Sequence, residues 1–143
     1  MFVLDTSALI KRYVPERGAT QVAELLDVAP SINVSRLACI EFAVFLSRSI
    51  QNRTFGTTEI LAIRDLYNSD FARAINVLAL TDEIASDTEK AVARLRDLPL
   101  RAADALHIQT AVHFEAELFV TADKQQARAA EGMGLKTLLI DAG

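Results

Sequence analysis

Apolar residues recur along this chain in two rhythms, short continuous runs and longer stretches spaced at three and four, and their alternation predicts strands separated by helices. Phe2-Val3-Leu4 reads as a short strand buried on both faces. It runs into Asp5. Thr6 and Ser7, both able to cap a helix, then precede Ala8-Leu9-Ile10-Lys11-Arg12, which predicts a helix. Pro15 and Gly18 break the pattern, and within 18–28 Val22, Leu25 and Leu26 have the spacing of an amphipathic helix that Pro30 ends. Residues 31–34 form the next strand, and Ser35 caps a long helix over 36–52. Gly56 separates it from a helix over 57–74, whose apolar stripe is Ile60, Ile63, Leu66 and Tyr67, so the two should form a hairpin. A strand over 76–80, a helix over 81–95 and a loop with Pro99 follow. The chain then runs through a helix over 102–114, a strand over 117–121, a helix over 124–133 closed by Gly132 and Gly134, and a strand over 136–140.

Strands alternating with helices, without hairpin-turn signals between strands, predict an α/β fold with a mainly parallel central sheet, helices on both faces and three layers. A length of 143 residues suits one domain, 1–143, and no repeat, linker or low-complexity run divides it. Hydrophobic residues make up 51%, enough for a packed core and too many for a disordered chain. The single Cys39 cannot form an internal disulfide, and the first apolar run is too short for a secretion signal and has no basic residues ahead of it. No apolar run approaches the roughly 18 residues of a membrane span. A cytoplasmic protein without membrane contact is expected.

The formal net charge of -4 argues against a protein that grips nucleic acid mainly through Lys and Arg on phosphate. Nucleic acid remains open as a substrate, because carboxylates that hold a divalent cation leave the loaded site attractive to phosphate. Four carboxylates stand out by position. Asp5 and Asp123 each follow a strand, and Glu41 and Asp104 lie on helices among apolar residues with no Lys or Arg one turn from Glu41. Each has a plain structural reading, as a helix cap, a first-turn acid or half of a distant ion pair. Gathered at one edge of the sheet, four unpaired carboxylates would repel and would call for a cation. Oxygen ligands alone suit Mg²⁺ or Mn²⁺ over zinc, and a metal held there would polarise a phosphoryl oxygen and activate water. His107 and His113 are the only imidazoles; on such a helix a histidine more often packs or caps, and cleavage is expected to be independent of both. Cys39 reads as core, and no Gly-rich phosphate loop is present.

Leu4-Asp5-Thr6-Ser7-Ala8-Leu9-Ile10, Glu41 in a helix after Ser35, Leu100-Arg101-Ala102-Ala103-Asp104-Ala105-Leu106-His107 and Phe119-Val120-Thr121-Ala122-Asp123-Lys124 together resemble the PIN-domain family, in particular VapC-type toxin ribonucleases. The segments cover nearly the whole chain in the family's order. The resemblance implies a metal-dependent endoribonuclease in which Asp5, Glu41, Asp104 and Asp123 hold Mg²⁺ or Mn²⁺, with Thr6, Ser7 and Thr121 in support. It also implies an RNA substrate, a homodimer, and a small cognate antitoxin through which alone DNA would be reached. Gln126 departs from the family, whose members commonly carry an apolar residue there, and this bears on how Asp123 is packed.

Two rivals follow from the same residues. A phosphatase of haloacid-dehalogenase type would use Asp5 as nucleophile, but that chemistry wants a second aspartate two residues on, where this chain has Ser7. A PIN-like module could bind RNA or protein without turnover; the presence of all four acids argues against it.

Overall fold

A computed structural model describes residues 1–141; residues 142 and 143, which the expected domain 1–143 takes in, lie outside the described residues. Five strands, β1 (Phe2–Leu4), β2 (Ile32–Ser35), β3 (Ile75–Leu78), β4 (Leu118–Thr121) and β5 (Thr137–Leu139), form one sheet in the order β3-β2-β1-β4-β5. Every pairing is parallel, so the expected mainly parallel sheet is parallel throughout. Among the described residues seven helices connect the strands: α1 (Thr6–Tyr13), α2 (Ala19–Val28), α3 (Arg36–Gln51), α4 (Thr57–Arg73), α5 (Asp82–Arg94), α6 (Ala102–His113) and α7 (Lys124–Gly132).

Successive residues of a strand point to opposite faces, and this period sorts the core into two halves. Leu4, Val34 and Val120 look one way and pack with Ala8 and Leu9 of α1, Phe42 and Leu46 of α3, and Ile60 and Ile63 of α4. Val3, Leu78 and Phe119 look the other way, against Ile108 and Ala111 of α6 and Ala129 and Ala130 of α7. The result is the three-layer α/β arrangement expected. Phe42 of α3 stacks on Tyr67 of α4 at 4.5 Å, and within α4 Tyr67 stacks on Phe71 at 4.2 Å.

The third strand starts and ends earlier than the expected 76–80. Ile75 is buried and pairs with Ile32, whereas Leu80 is 38% exposed, so the ladder continues only while the apolar face finds cover. No helix among the described residues is long and apolar enough to cross a membrane.

The strand order places β1 in the middle, with its sequence successor β2 on one side and β4, far along the chain, on the other. The connections therefore diverge beyond the carboxyl ends of β1 and β4, the place where open α/β sheets bind ligands. Asp5, Ser35 and Thr121 stand at the ends of those central strands.

Candidate active site at the carboxyl edge of the sheet

Asp5 follows β1 directly and is 2% exposed. Its carboxylate caps α1 by accepting from Ala8 N at 2.9 Å, and it also accepts from Ser7 Oγ at 2.7 Å and Thr121 Oγ1 at 2.6 Å. Burial pushes its carboxyl above the ordinary carboxylate range, and the bonds from Thr121, Ala8 and Ser7 offset this only in part. All of those donors are neutral. A buried carboxylate held by neutral donors is in the electrostatic condition that a divalent cation relieves.

Ser7 and Thr121 join α1 to β4 around this group. Ser7 Oγ accepts from Ala122 N at 2.9 Å while donating to Asp5, and Thr121 Oγ1 accepts from Asp123 N at 3.0 Å. The turn that carries Asp123 is thereby tied to Asp5. Asp123 itself caps α7, with Oδ1 accepting from Gln125 N at 2.8 Å and Gln126 N at 3.1 Å. Gln126, polar where an apolar residue was to be expected, is buried and donates through Nε2 to the Asp104 carbonyl at 3.3 Å. The departure thus links α7 to the first turn of α6.

Glu41 and Asp104 approach from the two helical layers. Glu41 Oε1 accepts from Thr6 Oγ1 at 2.6 Å and pairs with His107 Nε2 at 2.5 Å. The His107 contact, first, and the Thr6 bond hold its carboxyl below the usual carboxylate range against partial burial. Asp104, in the first turn of α6, accepts from Arg101 Nε at 3.2 Å. The Arg101 guanidinium is kept charged chiefly by Asp104 and also feels Asp123 and Glu41, so three of the acids share one electrostatic neighbourhood.

The expectation that the four carboxylates lack partners is corrected here: each has a hydrogen-bonding partner within the chain. Among the described residues these four acids do not meet at mutual ligand spacing; the set that does is Glu83 and Asp87 of α5 with His113 of α6, one donor atom from each lying within 4.8 Å of the others. What makes the sheet-edge site fit a hard divalent cation is its all-oxygen donor chemistry and the desolvated Asp5. Asp5, Glu41, Asp104 and Asp123 are the residues that would hold it.

Sequence reasoning set His107 aside as a packing residue. It is indeed buried, at 2% exposure, yet Nε2 contacts both Glu41 and Thr6, and Nδ1 lies 2.8 Å from Ser35 Oγ. The available signal was its position one helical turn after Asp104. His113 lies at the far end of α6, in its last turn.

Two clefts open on this edge. One of about 560 Å³ is lined by Thr6, Glu41, Arg48 and Asn52. The other, about 680 Å³, is lined by Ser7, Lys11, Asp123 and Lys124, and Phe45 forms part of both walls. The family model described as PIN domain matches residues 2–132. The chain belongs to the PIN-domain family. Solved PIN-like structures share its fold. The VapBC2 structure from Rickettsia felis, bound to a DNA fragment from its promoter, matches with TM-score 0.69 at 14% identity, covering 98% of each chain. VapC20 from Mycobacterium tuberculosis, a Sarcin-Ricin loop cleaving toxin, matches with TM-score 0.69 at 15% identity over 90% of this chain and 95% of that one. FitAcB from Neisseria gonorrhoeae matches with TM-score 0.68 at 16% identity over 96% of both. Among curated proteins no sequence matches this PIN domain.

Proposed function

We propose that this PIN domain is a Mg²⁺- or Mn²⁺-dependent endoribonuclease that hydrolyses RNA phosphodiester bonds, as the toxin of a toxin-antitoxin pair. The observation that carries the reading is Asp5: a buried carboxylate on neutral donors at the switch point of the sheet, one of which, Thr121, also holds the turn of Asp123. A divalent ion at these carboxylates would supply charge stabilisation at the phosphoryl group and an activated water. The chain's own part is to fix the carboxylates. Ser7, Thr121 and Ala8 N hold Asp5; Thr6 and His107 hold Glu41.

The haloacid-dehalogenase reading is weakened by the same geometry. Ser7 occupies the place that would need the second acid, and its hydroxyl donates to Asp5. Incubating the protein with structured RNA in Mn²⁺ and in EDTA, and separately with a phosphomonoester, tests the proposal. Cleavage of RNA in Mn²⁺ alone is the expected result. Binding without cleavage would point to a module without turnover, and phosphomonoester hydrolysis to the phosphatase.

The clefts give RNA a path. Arg48 on one side and Lys124 on the other are exposed cations flanking the acids, placed to meet phosphates on either side of the scissile bond. Arg48→Ala and Lys124→Ala are each expected to weaken RNA binding across sequences and to lower the slope of log affinity against log salt by about 0.7, one single-strand phosphate contact. Filter-binding titrations at several salt concentrations check this; an unchanged slope would remove the residue from the path.

The partners in this reading are a small antitoxin and a second copy of the chain, with DNA reached only through the antitoxin. Neighbouring structures of the fold include a toxin-antitoxin complex from Klebsiella pneumoniae. Exposed Ile40 and Val44 on α3 and Leu61 and Leu66 on α4 supply apolar surface for such contacts. A homodimer is expected in sedimentation at micromolar concentration; a 15.6 kDa species alone would count against it.

A further inference from the structure

We propose that His107 is the positioning residue of Glu41: anchored through Nδ1 to Ser35, it holds Glu41 Oε1 through Nε2 and leaves Oε2 as the oxygen offered to a cation. This rests on the proposal that Glu41 is a metal ligand. Three observations support it. His107 is 2% exposed, and both of its ring nitrogens are engaged. Ser35 closes β2 and caps α3, accepting from Ala38 N at 3.3 Å, so the anchor belongs to the sheet and to the helix that carries Glu41. Among the hydrogen bonds of the described residues, those to Glu41 all end on Oε1, where Thr6 joins His107.

Hydrogen-bond accounting assigns the donors. The ionised Glu41 carboxylate accepts only, so Nε2 carries the proton of that contact. With Ala38 N already donating to Ser35 Oγ, the serine hydroxyl is free to donate to Nδ1. The line from Ser35 through the imidazole to Glu41 spans β2, α6 and α3. It converts the packing of α6 against the sheet into the orientation of one carboxylate, as the partners behind metal ligands do. On this proposal cleavage depends on His107 through Glu41, in place of the independence expected from the sequence.

Asn and Gln separate positioning from packing. The His107→Asn amide can reach Ser35 but falls short of Glu41, whereas the His107→Gln amide extends to the Nε2 position. Isothermal titration with Mn²⁺ is expected to show affinity weakened about 10- to 100-fold in His107→Asn and largely recovered in His107→Gln. On RNA, His107→Asn should lower kcat with little change in KM. Melting in EDTA, where no metal is bound, reports the structural part alone. In the double variant with Glu41→Gln, His107→Asn should add no further loss of affinity, because its effect passes through that carboxylate. Ser35→Gly, which frees the ring while leaving Glu41 and His107 in place, should weaken Mn²⁺ binding in the same direction and stands in if His107→Asn does not fold. Wild-type affinity in both His107→Asn and Ser35→Gly, or full additivity with Glu41→Gln, overturns the proposal. A wild type that binds no Mn²⁺ fails at the metal site itself and takes both readings down.

Discussion

Asp5→Asn is expected to abolish RNA cleavage, by on the order of 10³-fold or more, and at the same time to make the metal-free protein more stable. Asn keeps an oxygen for Ala8 N, and the Ser7 and Thr121 hydroxyls can turn to accept from the new amide, so the local bonds survive while the buried charge goes. A gain of about 1–2 kcal/mol, or roughly 3–6 °C in melting temperature for a domain of this size, is typical of relieving a functional site. The effect should depend on pH with a definite sign. Burial raises the folded carboxyl above its unfolded value near 3.9, so between the two values the folded state binds more protons and stability falls as pH rises. Glu41, lowered chiefly by His107, acts in the opposite sense, adding stability above about pH 4.3 that is lost as pH falls through its folded value. Subtracting the Asp5→Asn curve from wild type isolates Asp5. Urea unfolding in EDTA from pH 4 to 8 should show the wild type losing ground to the variant as pH climbs; a variant less stable at every pH would make Asp5 an ordinary helix cap.

The second large effect separates function from stability at Asp104. Asp104→Asn removes a proposed ligand and should abolish cleavage. Its ion pair with Arg101, whose side chain is 79% exposed, is worth only about 0–1 kcal/mol, and its place in the first turn of α6 about as much again. In EDTA the variant should therefore melt close to wild type. Metal should then divide them: wild type gains about 2.7 kcal/mol when free Mn²⁺ is roughly 100 times its dissociation constant, and the variant much less. Thermal melts of both proteins with and without Mn²⁺ decide the point. A variant that melts well below wild type in EDTA and responds equally to Mn²⁺ would mean that Asp104 is structural.

The alternation of elements was legible in the sequence because strands buried on both faces read as apolar runs, and Ser35 was legible as a cap because capping is local. Strand ends were less so. Ile75 and Leu80 look alike as residues, and only the position of Ile32 and the cover above it decide which one joins the ladder. The four proposed acids stood out in the sequence by their places after strands and on apolar helix faces. Their partners did not. His107 meets Glu41 across 66 residues and Ser35 across 72, Thr121 meets Asp5 across 116, and no local period encodes such meetings. Arg101 was within reach of inference, three residues before Asp104 on the same helix face.

The central place of β1 has a consequence for the order in which the protein forms. Its first partner, β2, follows within about 30 residues of chain, but its other neighbour is β4, whose Leu118 pairs with Phe2 and whose Thr121 donates to Asp5. Closing so long a loop is entropically costly and slow, and a nascent chain adds residues only at about 5–20 per second. During synthesis β1 therefore waits with one edge open until β4, more than a hundred residues further along the chain, has been made. The Asp5 environment, which takes a donor from Thr121, is thus complete only once β4 is in place.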